Sequence, residues 1–370
     1  MSRIGTLLIL LVVSLLPTLA QTAEITAQFN RAIELQRAGQ LAEAATEYRT
    51  ILKLKPDYAE VYANLGAVLA RLGQYEESVK SYETALQLAP HFTPIWLNLG
   101  IAHYRAGQFA RAVPALEKFL LAQPDNVQAH QLLGICLVET GKEAEALQHL
   151  EPALNAESAD VMLLFSLGTA YVRLQHARLE TVLQKLAAQP QGSALAHLLR
   201  GQAHLEKFSF EAAATELEAA AKLNAELPRL QYSLGLSYLK LGRYDAAITC
   251  LDRELQKYPQ DFGLLYFKAF AQEANGALRE ARVNVEAALK FESESMEARL
   301  LLAKILLKLG EAAAALPHGE FVVRKEPTDA DKRYLLARIY QRLQRKDDAA
   351  REFAAAESLK ARTRAAEKKK

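Results

Sequence analysis

Eight histidines and two cysteines are the side chains of this 370-residue sequence best suited to metal binding or nucleophilic chemistry, and their spacing supports neither. Cys136 and Cys250 are too few for a zinc site or a disulfide framework. His197 and His204 lie seven residues apart, on one face of a helix, without a third ligand beside them. No nucleophile elbow, phosphate loop or zinc-protease motif occurs. What does recur is recognition chemistry. Asn30, Asn64 and Asn98 follow one another at intervals of 34 residues, as do Arg37, Arg71 and Arg105, with Arg173 further on. An asparagine amide donates and accepts, so a ladder of them can pair with the backbone of an extended peptide whatever its sequence. Arginine adds bidentate recognition of carboxylates. The expectation is a binding protein with no catalysis, no metal and no cofactor.

The elements that must position these side chains repeat with the same interval. In rows of 34 starting at Ile25, the eighth position reads Ala32, Gly66, Gly100, Gly134, Gly168, Gly201, Gly235, Ala269, Ala303 and Ala337, provided the row from Val161 is shortened by one residue. The twentieth position is small as well, including Ala44, Ser78, Ala112, Ala146, Ala213 and Ala247. Small residues at two fixed places mark where two helices approach too closely for a larger side chain. The fifteenth position is glycine in seven rows, among them Gly39, Gly73 and Gly107, where a first helix must stop in a left-handed residue. A bulky group follows two residues later, as at Leu41, Tyr75, Phe109 and Tyr244, and Pro56, Pro90, Pro124 and Pro259 close rows. Each row therefore reads as a hairpin of two helices, A and B, of about 14 residues and about 20 Å each.

These columns resemble the tetratricopeptide repeat, most clearly over Ala59–Pro90, Thr93–Pro124 and Pro228–Pro259, and the resemblance extends over about residues 25–363. It implies an all-α fold, a right-handed superhelical solenoid of antiparallel helix hairpins with about ten repeats and with helix A lining a concave groove. In such a stack no repeat buries a core alone, and stability comes from neighbour on neighbour. The expected organisation is repeats 1–4 over residues 21–160, an irregular fifth repeat over 161–193, repeats 6–10 over 194–363 and a basic tail over 364–370. The fifth row lacks the loop glycine, offering Gln175 and His176, and Pro152 lies inside the helix before it. A discontinuity near residues 152–192 is one reading of this, and a drifted repeat with local compensation is the other.

Residues 1–20 read as a secretory signal peptide: Arg3, an apolar run from Ile4 to Leu16, then Pro17 and a small-residue end. Cleavage after Ala20 is the first choice and after Ala23 the second, with an uncleaved anchor as the alternative. The run is too short to span a bilayer of ~30 Å, and no second candidate span follows. The expected location is periplasmic or secreted. The net charge of +2 argues against a nucleic-acid partner, which calls for a basic field.

In the family the resemblance points to, positions 2, 5, 6, 9, 12 and 13 of helix A face the groove. That places Asn30, Asn64 and Asn98 at position 6 and Arg37, Arg71 and Arg105 at position 13, as peptide-binding residues. The family's dicarboxylate clamp needs lysines where this chain has Thr26, Glu60, Pro94, Phe29, Ala63 and Leu97, so that clamp is not expected. Further along, the same columns turn apolar: Tyr232, Leu236, Tyr266, Phe267 and Phe270 stand out, beside Leu195, Leu198, Leu199, Leu239, Leu300, Leu301, Leu307 and Tyr334. These form either a hydrophobic partner surface or a core that the coil buries itself. The resulting expectation is a non-catalytic protein-binding scaffold in a bacterial cell-envelope complex. Its partner would be a protein or peptide, extended or helical. An accessory subunit that recruits substrate to a partner enzyme and a structural homo-oligomer are the alternatives.

Overall fold

The protein is described by a computed structural model over residues 22–154 and 160–367. The proposed signal peptide and the last three lysines lie outside the described residues. Among the described residues every regular element is a helix. The A helices of the first four repeats are α1 (22–37), α3 (Ala59–Arg71), α5 (Thr93–Arg105) and α7 (Val127–Glu139). Their B helices are α2 (Leu41–Leu54), α4 (Tyr75–Leu88), α6 (Phe109–Ala122) and α8 (Glu143–Leu154). The irregular row supplies α9 (Val161–Arg173) and α10 (Leu179–Ala187). Then come α11 (Gly192–Glu206) with α12 (Phe210–Leu223), α13 (Leu230–Lys240) with α14 (Tyr244–Lys257), and α15 (Phe262–Ala274) with α16 (Leu278–Phe291). The chain closes with α17 (Met296–Lys308), α18 (Ala312–Lys325), α19 (Ala330–Arg342) and α20 (Lys346–Glu367).

The small residues at position 8 are where the two helices of a hairpin meet. A Cβ on Gly100 would sit 2.7 Å from the Leu116 side chain, and one on Gly201 would sit 2.5 Å from that of Leu217. Leu116, Leu150, Leu217 and Leu251 occupy the same slot of the B helices α6, α8, α12 and α14 and are wholly buried. At Gly66 the approach is close enough for the Ser78 hydroxyl, at position 20, to donate to the Gly66 carbonyl at 2.8 Å. Small residues in one helix and large ones in the other are thus one packing device, seen from its two sides.

The turn between A and B is equally uniform. Seven glycines hold φ between +71° and +83°, Gly73 among them, and Gln175 (+50°), Phe208 (+56°) and Gln344 (+59°) take the same left-handed conformation where glycine is missing. The fifth row therefore keeps its turn without its glycine, and its irregularity lies elsewhere. Its B helix, α10, has nine residues against 14 in α4, α6 or α12. The shortened helix turns back sharply, and a Cβ on Gly192 would lie 1.9 Å from the Leu186 carbonyl oxygen. Glycine is required there because the opposing atom is backbone and cannot swing away. Contacts divide the chain into two compact units, one ending at Val182 and one beginning at Leu183, so the division falls in this same row.

One hydrogen bond between repeats recurs at the same position in three rows. Tyr171, Tyr238 and Tyr340 occupy position 11 of their A helices. Each hydroxyl donates to a glutamate on the B helix before it: Glu151 at 2.6 Å, Glu218 at 2.9 Å and Glu320 at 2.8 Å. Burial, then the acceptor carboxylate, pushes the Tyr238 and Tyr340 hydroxyls up to about 12. Both cysteines are buried thiols, as expected of small apolar residues. Burial raises Cys136 to about 12 and Cys250 to about 11, far from the thiolate that reactivity needs.

Candidate functional site

In the first unit the structure places the three asparagines at equivalent points of α1, α3 and α5. Asn30 and Asn98 are exposed and Asn64 is half-buried. No hydrogen bond within the described residues takes up any of the three amides. They lie on adjoining helices, since α3 packs beside α5 as well as against its own B helix. This is an array of donors and acceptors with nothing to satisfy within its own repeats.

The arginines of position 13 divide. Arg71 donates through Nη1 to the Gln36 carbonyl at 3.2 Å, closing a free end of the preceding A helix. Arg173 does the same to Val138 at 2.8 Å and pairs with Glu143 at 2.7 Å. Burial raises the Glu143 carboxyl, but the bond and charge of Arg173 together with a backbone hydrogen bond outweigh it and leave the group below its ordinary value. In the second unit Lys308 holds this place and pairs with Glu273 one repeat earlier. Position 13 is thus in part a staple between successive A helices, a role that sequence spacing alone did not separate from ligand recognition. Arg37 and Arg105 are exposed and make no such bond.

In the second unit the apolar columns resolve into core and surface. Leu195, Leu198, Leu199, Leu239, Leu301 and Leu307 are buried and belong to the interior. Tyr232, Leu236, Tyr266 and Phe267 are half-buried, and Phe270 is 37% exposed. Their rings form a ridge: Tyr232 to Phe267 is 6.1 Å between centroids, Phe267 to Tyr266 is 5.3 Å, and Tyr266 stacks on Phe262 at 5.9 Å. Tyr334 is 48% exposed and is separated from them, resting edge-on against Phe353 with Lys360 above it. The structure therefore brings the five predicted partner-surface residues onto two adjoining helices, α13 and α15.

The histidines serve the hairpins instead. His103 is buried and bonds Gln108 at 2.8 Å, and His197 pairs with Glu216 at 2.6 Å. His130 gives its Nε2 proton to the Pro124 carbonyl at 2.7 Å, so its Nδ1 accepts from Nδ1 of His149 at 2.8 Å. Burial, with His130 adding to it, holds the His149 imidazole below its ordinary value. No cluster of three or more metal-ligating side chains occurs among the described residues. A hollow of about 470 Å³ lies between the turn Gly107–Arg111 and the end of α7 at Glu139 and Thr140, open to solvent.

One group escaped the sequence reading altogether. Glu254 on α14 is 1% exposed, and neither carboxylate oxygen has a hydrogen-bond partner; the Gln231 Oε1 on α13 is equally orphaned. Burial pushes the Glu254 carboxyl up, and Arg229 and Lys257 offset only part of this. Its place in the row, otherwise taken by apolar residues such as Ala220 and Ala288, was the available signal.

Comparison with known proteins follows the same lines. Models described as tetratricopeptide repeat match residues 59–92, 97–161, 198–262, 232–296 and 296–318, and one described as TPR repeat matches 34–73. Over 164 residues the chain is 27% identical to anaphase-promoting complex subunit 3 of Schizosaccharomyces pombe, a match covering 44% of this chain and 25% of that protein. It thus spans about a quarter of the length of this curated relative. The crystal structure of the APC/C hetero-tetramer Cut9–Hcn1 is similar with a TM-score of 0.53 at 20% identity, over 75% of this chain and 55% of that one. The human IFIT1 dimer with m7Gppp-AAAA gives a TM-score of 0.52 at 19% identity, over 90% and 81%. At these identities the likeness concerns the fold alone.

Proposed function

Because the chain belongs to the tetratricopeptide repeat family, we propose that it is a non-catalytic scaffold holding segments of other proteins on the exposed face of its A helices. The observation that carries this reading is the set of Asn30, Asn64 and Asn98, equivalent in three successive A helices and unsatisfied among the described residues. Packed helices stand about 8–10 Å apart, and an extended chain advances about 3.3 Å per residue. Consecutive asparagines thus fall near every third residue of an extended peptide, where each amide can pair with one backbone group. Arg37 and Arg105 extend the array to carboxylates. The partial match to a subunit of the anaphase-promoting complex fits a place in a multi-protein assembly. The near balance of charge favours a protein partner over a phosphate backbone. We further propose export to the cell envelope, supported by Arg3 and the apolar run that follows it.

Crosslinked capture from the envelope fraction tests the reading, with the wild-type chain beside the triple variant Asn30→Ala, Asn64→Ala, Asn98→Ala, each confirmed folded by circular dichroism. The wild type should retain a defined protein that the variant loses, with affinity down by roughly 100-fold if each amide contributes about 1 kcal/mol. Equal capture by both would remove the asparagine array from the function. N-terminal sequencing of the same material should read from Gln21; an intact Met1 in the envelope would mean an anchor, and recovery only from the cytoplasm would reject export.

A further inference from the structure

The ninth position of the last four A helices changes character along the second unit: Leu236 on α13, Phe270 on α15, Lys304 on α17 and Arg338 on α19. Successive A helices here adjoin one another, α13 with α15, α15 with α17 and α17 with α19, so the four residues form one row across a single face. Its apolar end is broadened by the Tyr232–Phe267–Tyr266 ridge. Its basic end is exposed, and neither Lys304 nor Arg338 makes an ion pair among the described residues. Lys240 and Arg342, also exposed, flank the row at position 13. Of the acidic groups in these columns, Glu273 is paired with Lys308 and Asp331 with Lys360, which leaves Glu297, held by the Ser295 hydroxyl at 3.2 Å. The surface is mainly apolar on α13 and α15, with Lys240 at its edge, and positive on α17 and α19.

The secondary structure of an occupant follows from what the face lacks. Position 6, asparagine in the first three A helices, is here Ser233, Phe267, Leu301 and Leu335, and all but Phe267 are buried. No row of amides is available to satisfy the backbone of an extended chain. A helix satisfies its own backbone and presents only side chains.

We propose that this face docks an acidic amphipathic helix of a partner protein, its apolar stripe on Phe270 and the aromatic ridge and its carboxylates on Lys304 and Arg338. With about 10 Å between adjoining helices, Phe270 and Arg338 lie about 20 Å apart, or about 13 residues of a helix rising 1.5 Å per residue. The acidic end is the C-terminal end of the docked helix, because the negative end of its dipole then also faces the two cations. This second surface is independent of the asparagine array, and the two can fail separately.

The test uses the full mature chain and a fluorescein-labelled peptide of about 18 residues. Leu and Phe occupy i, i+3, i+4 and i+7 of its N-terminal half, and glutamates occupy the same face of its C-terminal half. Control peptides replace the glutamates by lysines or place a proline at the centre. Anisotropy titration at low salt should show the glutamate peptide binding about tenfold tighter than the lysine peptide, a difference that shrinks as salt is raised. The double variant Lys304→Glu, Arg338→Glu, altered only at exposed positions, should invert that preference. Phe270→Ala should weaken both peptides about fivefold or more. The asparagine triple variant should change nothing. No discrimination between peptides, no inversion, or equal binding of the proline-broken peptide would overturn the proposal. Loss of a dimer on Phe270→Asp in sedimentation velocity would overturn it in favour of a second copy of the chain.

Discussion

The two units build the same slots and fill them with opposite chemistry. In the first three repeats of the first unit, position 6 offers Asn30, Asn64 and Asn98, while in α13, α15, α17 and α19 of the second the equivalent places hold Phe267 and the buried Ser233, Leu301 and Leu335. The hairpin beneath is common to both, with Gly100 against Leu116 in one and Gly201 against Leu217 in the other. The difference teaches that the packing columns and the recognition columns of a solenoid vary independently. The first set must close a core in every repeat. The second is constrained only where a member packs or pairs with the preceding repeat, as at Leu301 or Arg71, and is otherwise free to vary.

The largest expected effect tests the shared scaffold. Gly100→Val should destabilise the first unit and Gly201→Val the second, each by roughly 2–3 kcal/mol or more, because a new side chain meets a buried leucine. Hydrogen exchange should show the loss confined to the unit carrying the change; equal loss in both would mean that they open together.

Glu254 separates the units next. Its pKa is raised in the fold, so the native state binds the extra proton, and stability falls as pH rises from the ordinary carboxylate value through the folded one. Glu254→Gln removes the ionisation, and should raise the melting midpoint of the second unit by roughly 2–4 °C at pH 7.5. The gain should vanish as pH falls to 4.5, the ordinary value. A gain that persists in acid would assign the effect to packing.

The tyrosine–glutamate bonds sharpen the comparison at a smaller scale. Tyr171→Phe in the first unit and Tyr238→Phe in the second should each cost about 1 kcal/mol, seen as a lower urea midpoint. Unequal costs would show that one stack depends more on its inter-repeat bonds.

The smallest effect is acid sensitivity. His149 is held below its ordinary value, so its neutral form contributes stability that is complete above pH 6.5 and is lost as pH falls through the folded value. His318 in the second unit is held down likewise, by burial and then Arg299. Each of His149→Gln and His318→Gln should lessen the melting loss between pH 7.5 and 5.5 in its own unit only, by one or two degrees at roughly 0.5 kcal/mol. Differential scanning calorimetry across that range checks both.

Much of this protein was determined by its sequence alone. The interval of 34 residues, the small eighth position and the fifteenth-position glycines fix the hairpins, because each is a local steric demand that recurs wherever two helices meet or a helix ends. The asparagines and the aromatic residues were legible for the same reason, as residues sharing a column. Tertiary structure alone decided which members of a column remain available. It bonded the exposed Arg71 to the Gln36 carbonyl while Arg105 makes no such bond, and it buried Leu301 and Leu307 while leaving Phe270 exposed. It also kept the left-handed turn at Gln175 and placed the irregularity in the short α10 and the contact at Gly192. It enclosed Glu254 with only the partial offset of Arg229 and Lys257. The physical reason is common to these cases. Periodicity reports the direction in which a side chain leaves its own helix, whereas exposure, pairing and charge state depend on the neighbouring repeat, which lies 20 to 35 residues away in sequence and 2.6 to 3.2 Å away in space.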